Sequence, residues 1–154
     1  MISITKPERS MNMTVKDCMN KHVVTVTPEE SAAVAARLMT RHNVGALPVQ
    51  AYDGSLCGIV TDRDLILRCM ALNRSPEKTT VARVMTDRVA SIPPTASLNQ
   101  AAACMAAEQV RRLPVVEGRR VVGMVSLGDL SHRDEYAVEA AETLSEITAN
   151  IHHL

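Results

Sequence analysis

Aromatic residues are almost missing from this chain: it has no tryptophan, no phenylalanine and only two tyrosines, Tyr52 and Tyr136, in 154 residues. Any core must therefore be aliphatic, and there is no platform on which nucleic-acid bases could stack. Net charge is missing too, because 17 basic residues cancel 17 acidic ones. That removes the nonspecific attraction to nucleic acid or to an anionic membrane, so neither is expected as a partner. No apolar run is long enough to span a bilayer, and nothing resembles a signal peptide. The four cysteines, Cys18, Cys57, Cys69 and Cys104, form no CxxC pair. This fits a reducing cytoplasm, with Cys57 and Cys104 expected as small core residues. His22, His42 and His132 lack the spacing of metal ligands, so no metal site is expected. No nucleophile stands beside a base, and there is no carboxylate pair in a pocket and no Walker-type phosphate loop. The chain is expected not to be an enzyme.

What is present is a duplication. Gly58-Ile59-Val60-Thr61-Asp62-Arg63-Asp64-Leu65 returns as Gly123-Met124-Val125-Ser126-Leu127-Gly128-Asp129-Leu130. Two apolar residues after a glycine end a buried strand. A hydroxyl with an aspartate three positions later marks a strand-to-helix junction, the hydroxyl as cap and the acid in the first turn. Such a junction can offer a hydroxyl to an anion and a carboxylate to a sugar diol. Helix capping alone would also account for each pair. Further landmarks repeat as well: Asp17-Cys18-Met19-Asn20 matches Arg83-Val84-Met85-Thr86, and Leu47-Pro48-Val49 matches Leu113-Pro114-Val115, at an offset of 66 (85 minus 19). The two glycines are offset by 65 (123 minus 58), so one residue is lost between landmarks, at the hairpin turns Asp53-Gly54 and Glu117-Gly118.

In chain order, residues 1–13 read as a leader, 14–72 as a first domain, 73–80 as a linker, 81–133 as a second domain and 134–154 as a C-terminal helix. Each domain is predicted to run helical turn, strand, helix, hairpin, helix. The strands preceding the first long helices are expected at His22–Val26 and Val89–Ile92. Thr27-Pro28-Glu29-Glu30 is expected to start a helix that then runs from about Ser31 to His42, with Asn43 as a left-handed stop, and the second is expected from Ser97 to about Gln109. The hairpins are expected to pair Ala46–Gln50 with Leu56–Val60, and Leu113–Val116 with Arg120–Val125. The closing helices are expected over Asp62 to about Leu72 and Leu127 to about Arg133. In the last stretch Ala137, Ala140, Leu144, Ile147 and Ile151 step by three and four while Glu139, Glu142 and Glu146 face away. That side could form a coiled coil, or pack on its own domain or on a sister chain.

HNVGALPV followed by GIVTDRDL, and RRLPVVEGRRVVGMVSLGDL in the second copy, closely resemble a tandem pair of cystathionine-β-synthase (CBS) domains, from about Thr14 to Arg133. The whole chain resembles small free-standing prokaryotic proteins with no catalytic domain. The resemblance implies an α+β fold of two CBS domains (β-α-β-β-α each) packed about a pseudo-twofold axis, with the C-terminal helix added. It further implies a regulatory module that holds AMP, ADP, ATP or S-adenosylmethionine in clefts between the paired domains, signals to an unidentified protein and forms a homodimer. On the same basis Asp64 and Asp129 would hold ribose hydroxyls, and Thr61 and Ser126 ribose or phosphate oxygens. Backbone near Val23, Val24, Val89 and Ala90, with Gly45, Ala46, Arg111 and Arg112, would bracket the adenine and the phosphate side. Arg111 and Arg112 stand where the first copy has Gly45 and Ala46, so the second cleft is expected to prefer a phosphorylated ligand; Arg63 would add charge at the first. A scaffold that dimerises without any ligand is the competing expectation.

Overall fold

The structure, a computed structural model, describes residues 13–131. The leader up to residue 12, the end of the last closing helix and the expected C-terminal helix lie outside them. Four helices carry the two repeats: α2 (Ala32–His42) and α3 (Asp62–Arg68) in the first, α5 (Leu98–Glu108) and α6 (Leu127–Ser131) in the second. Short leading turns, α1 (Val15–Cys18) and α4 (Val81–Val84), precede them. The strands β1 (Ala46–Gln50) and β2 (Leu56–Thr61) form one two-stranded sheet, and β3 (Arg112–Glu117) and β4 (Arg120–Ser126) another. Among the described residues no helix is long and apolar enough to cross a membrane.

Local chemistry sets the helix ends. The cap of α2 is Ser31 rather than the expected Thr27: Ser31 Oγ accepts from the Val34 N–H at 3.2 Å, while Thr27 and Glu30 bond to each other in the turn before it, and Asn43 stops α2 in the left-handed region at φ 52°. In the second copy Ser97 and Gln100 exchange bonds in a capping box, and Gln109 takes the left-handed stop at φ 59°. The helix predicted to run to Leu72 breaks at Cys69, and a 3₁₀ turn, Met70–Leu72, follows it and ends on left-handed Asn73.

The two predicted leading strands contract to single parallel bridges, Val26 to Val49 and Ile92 to Val115. Proline explains why. Val26 N–H donates to the Pro48 carbonyl at 3.1 Å and its carbonyl accepts from Gln50 N–H at 2.9 Å. The next rung would need an N–H from Pro48 to reach Val24, and Pro48 has none. Ile92 likewise donates to the Pro114 carbonyl at 3.0 Å, and Pro114 stops the ladder at Ala90. The extra residue of the first hairpin coincides with a bulge: Val49 faces Gly58, but Gln50 faces Leu56, which leaves Cys57 unopposed.

Contacts divide the chain into two compact units. Among the described residues the first contains His22–Val89 and Val116–Val121, and the second contains those up to Lys21, Ala90–Val115 and those from Val122 onward. Each repeat therefore gives its leading turn to the core of the other. Val15 of α1 is fully buried with Leu98, Met105, Leu113, Val125 and Leu130, and its N–H donates to the Ala96 carbonyl at 2.8 Å. Val81 and Val84 of α4 are fully buried with Val26, Ala35, Leu47, Val49 and Val60, and Val81 N–H donates to the Glu30 carbonyl at 2.8 Å. Burying each of these valines contributes about 1.5–3 kcal/mol. Both cores are wholly aliphatic. Cys69 is the buried cysteine, whereas Cys57 and Cys104, expected in the core, are half-buried at its margin. Burial pushes both of their thiols above the ordinary cysteine value, which disfavours the reactive thiolate.

The exchange fixes the glycines. A Cβ on Gly58 would stand 2.7 Å from Met85 Sδ and 2.9 Å from the Thr86 carbonyl oxygen; on Gly123, 2.5 Å from Met19 Sδ and 3.1 Å from the Asn20 oxygen. Gly128, exposed in α6, would meet only Ser126 Oγ at 3.6 Å. Gly58→Ala and Gly123→Ala should each cost about 1–3 kcal/mol in urea unfolding, whereas Gly128→Ala should be neutral or stabilise by up to about 1 kcal/mol. Equal effects at all three positions would contradict the close approach.

Candidate functional site

Within the first unit, the motif closes on itself at the end of β2. Thr61 is the N-cap of α3: its Oγ1 accepts from Asp64 N–H at 3.1 Å, while its own N–H donates to Asp64 Oδ2 at 3.0 Å. The second unit repeats this with Ser126 Oγ accepting from Asp129 N–H at 3.1 Å and Ser126 N–H donating to Asp129 Oδ2 at 2.8 Å. Both pairs are half-buried. Each carboxylate spends one oxygen on the box and each hydroxyl spends a lone pair. That leaves Oδ1 of each aspartate as an acceptor and the hydroxyl proton as a donor.

Neighbouring segments are drawn to the same junctions. Ala46 faces Thr61 in the β1–β2 register, and the Gly45 carbonyl accepts from Asp62 N–H at 3.0 Å. On the other edge of β2, Ile59 and Thr86 exchange backbone bonds of 2.9 and 2.8 Å. In the second unit the Arg111 carbonyl accepts from Leu127 N–H at 2.8 Å, and Met124 and Asn20 exchange bonds of 3.0 and 2.8 Å. The motif strand of each unit is thus held between its own hairpin partner and the segment that follows the other repeat's leading turn.

The sequence-derived residues fall into two groups. Thr61, Asp64, Gly45 and Ala46 come together in the first unit, and Ser126, Asp129 and Arg111 in the second, with Arg112 exposed at the start of β3. Arg63 is exposed on the first turn of α3, its N–H on Asp62 Oδ1 at 2.8 Å. Val23, Val24, Val89 and Ala90 are placed by the bridges at Val26 and Ile92 instead. Val24 packs on the first unit's core and Ala90 on the second's.

Three residues went unrecognised in the sequence. Thr86 and Asn20 border the motif strands through the pairs just described, and the repeated Met-Thr and Met-Asn steps were their signal. Arg68 is the third: its Nη1 donates to the Met85 carbonyl at 2.8 Å and the Val84 carbonyl at 3.2 Å, tying the far end of α3 to the segment that leads to Thr86. Nothing in its local sequence marks it. Among the described residues no group of three or more His, Cys, Asp or Glu side chains could hold a metal ion.

Comparison with known proteins follows the duplication. The family model of the CBS domain matches twice, at residues 15–70 and 81–136. A CBS domain-containing protein of Bacillus subtilis, YhcV, is 43% identical over 139 residues, covering 90% of this chain and 98% of that protein. The crystal structure of the CBS domain pair of protein MJ0100, in complex with 5′-methylthioadenosine and S-adenosyl-L-methionine, matches with TM-score 0.70 and 31% identity over 78% of this chain and 98% of that one. That of Hypoxic Response Protein I, with two coordinated zinc ions, matches with TM-score 0.72 and 33% identity over 78% of this chain and 98% of that one.

The capping boxes carry a cost of their own when broken. Thr61→Ala and Ser126→Ala should each lower unfolding free energy by about 1 kcal/mol without any ligand present. Chemical denaturation measures it, and an unchanged midpoint in both variants would count against the boxes.

Proposed function

This chain belongs to the CBS domain family as a tandem pair, and from that premise we propose that it is a non-catalytic regulatory module that binds an adenosine nucleotide and signals by a change of conformation. The candidate ligands are AMP, ADP, ATP and S-adenosylmethionine. One observation carries the reading: each repeat ends a hairpin strand on the same hydroxyl–carboxylate box, and in both copies an aspartate oxygen and the hydroxyl proton remain unspent there.

In this reading Asp64 and Asp129 accept from ribose hydroxyls, and Thr61 and Ser126 donate to ribose or phosphate oxygens. Val23, Val24, Val89 and Ala90, with Gly45 and Ala46, offer backbone and small apolar side chains to the adenine. Pro48 and Pro114 end the ladder beside Val24 and Ala90, which leaves backbone there uncommitted to a sheet. Arg111 and Arg112 supply phosphate partners at the second site, where the first has Gly45 and Ala46; Arg63 adds charge at the first. That difference favours a phosphorylated nucleotide at Ser126 and Asp129. The four free cysteines agree with a reducing cytoplasm. Two copies of the chain form the working unit and act on a protein partner, without membrane or nucleic acid.

A second reading, a ligand-independent pairing scaffold, draws on the fact that both boxes are complete as helix caps. Thermal unfolding with AMP, ATP, NADH and S-adenosylmethionine separates the two. A ligand at a hundred times its Kd adds about 2.7 kcal/mol, roughly 5–10 °C in Tm for a chain of this size. Asp64→Ala with Asp129→Ala should abolish that shift. Arg112→Ala should reduce the shift from ATP or AMP more than that from S-adenosylmethionine. A panel that leaves Tm unmoved at millimolar concentration overturns the nucleotide reading in favour of the scaffold.

A further inference from the structure

The methionines of this chain meet solvent very unequally. Met105 is fully buried and Met39 nearly so, whereas Met70 is 70% exposed. Met19 and Met85 lie between these extremes, half-buried at the margins of the second and first unit's cores. They are also the one residue type that Asp17-Cys18-Met19-Asn20 and Arg83-Val84-Met85-Thr86 hold in common. Their sulfurs occupy equivalent places. Met85 Sδ and Cγ lie 2.7 and 3.2 Å from where a Cβ on Gly58 would stand, and Met19 Sδ and Cγ lie 2.5 and 3.0 Å from the same point on Gly123. Each thioether is thus pressed on a motif strand three residues before its capping hydroxyl, Thr61 or Ser126.

The backbone around each sulfur has no donor to give. Ile59 and Thr86 N–H groups bond to each other's carbonyls at 2.9 and 2.8 Å, and those of Met124 and Asn20 do so at 3.0 and 2.8 Å. The N–H groups of Met85 and Met19 are held by the Val81 and Val15 carbonyls at 2.8 Å. An oxygen added to either sulfur would meet the Thr86 or Asn20 carbonyl, an acceptor like itself, and among these N–H groups no partner. We propose that Met19 and Met85 form a duplicated oxidation switch: hydrogen peroxide converts each thioether to its sulfoxide, and the new oxygen drives Asn20 and Thr86 off the motif strands. The sulfur lone pair attacks one peroxide oxygen, the O–O bond breaks and an S–O bond forms. The proton on the transferred oxygen passes to the departing hydroxide, which leaves as water; sulfur is oxidised by two electrons and the peroxide reduced by two. A thioether needs no ionisation for this step. A thiol does, and burial holds the Cys57 and Cys104 thiols above the ordinary cysteine value.

The switch is independent of whether a nucleotide binds. Titration of the full-length chain with hydrogen peroxide tests it, read by site-resolved mass spectrometry and by amide hydrogen exchange. Met19 and Met85 should each gain one oxygen, after exposed Met70 and before buried Met105. The amides of Asn20, Ile59, Thr86 and Met124 should then exchange at least about tenfold faster. Methionine sulfoxide reductases, one for each sulfoxide epimer, should restore slow exchange. Met70→Leu should respond as wild type does. Met19→Leu with Met85→Leu, close to wild type in volume, should keep the four amides slow under peroxide. Oxidation of Met19 and Met85 that leaves these amides slow overturns the switch. So does a chain in which both sulfurs stay thioethers while Met70 is oxidised. Fast exchange that persists in the oxidised leucine pair places the effect on another residue and overturns it as well; if that pair does not fold, the wild-type measurements decide alone.

Discussion

Backbone laid directly on backbone is the constraint from which the rest of the structure follows. Thr86 against Ile59, and Asn20 against Met124, approach so closely that the neighbouring strand positions, Gly58 and Gly123, have no room for a side chain. Met85 and Met19 fill the space that a Cβ would take; an unbranched thioether adapts to such a gap. Once these pairs form, the strand that ends in Thr61 or Ser126 is fixed on both edges. The first turn of the following helix is then fixed as well.

The residues that complete the two helix starts are also those that the proposed reading turns toward a ligand, and only the unspent atoms distinguish the two roles. A threonine and an aspartate three residues apart satisfy a helix start completely, through one lone pair and one carboxylate oxygen. What remains for the proposed ligand is a hydroxyl proton and a second oxygen. Arg68 extends this economy. The helix that begins on the box ends on a guanidinium holding the carbonyls of Val84 and Met85, so the seven residues of α3 tie Thr61 to the segment flanking the strand it came from.

Much of this could be read in advance from local chemistry. Caps, left-handed stops and both hairpins depend on residues within a few positions of one another, and Asn43, Ser97 and Gln100 behave as their types dictate, whereas Thr27 and Ser31 compete for one helix start and only packing decides for Ser31. The hydroxyl and acid of each motif were legible for the same reason. What sequence could not give were facts that depend on distant partners. His22–Val26 has every local mark of a strand, but its ladder is stopped by a proline more than twenty residues later. Val15 and Val81 are equivalent positions in similar repeats, so nothing in either says whether it will plug its own core or its sister's. Arg68 finds its acceptors only through the fold, and Thr86 and Asn20 matter for where their backbone goes rather than for what their side chains are.

The exchange of leading turns also orders events in time. Residues 22–89 bring together nearly everything the first unit needs, including α4, before the second motif has been synthesised. Val15 is made before any of them, yet its burial waits for Leu98, Val125 and Leu130, a separation of more than eighty positions that makes its closure slow. A chain emerging from the ribosome would thus carry a finished half preceded by a bare apolar strap. The turn that leads the first repeat is among the last elements to find its place.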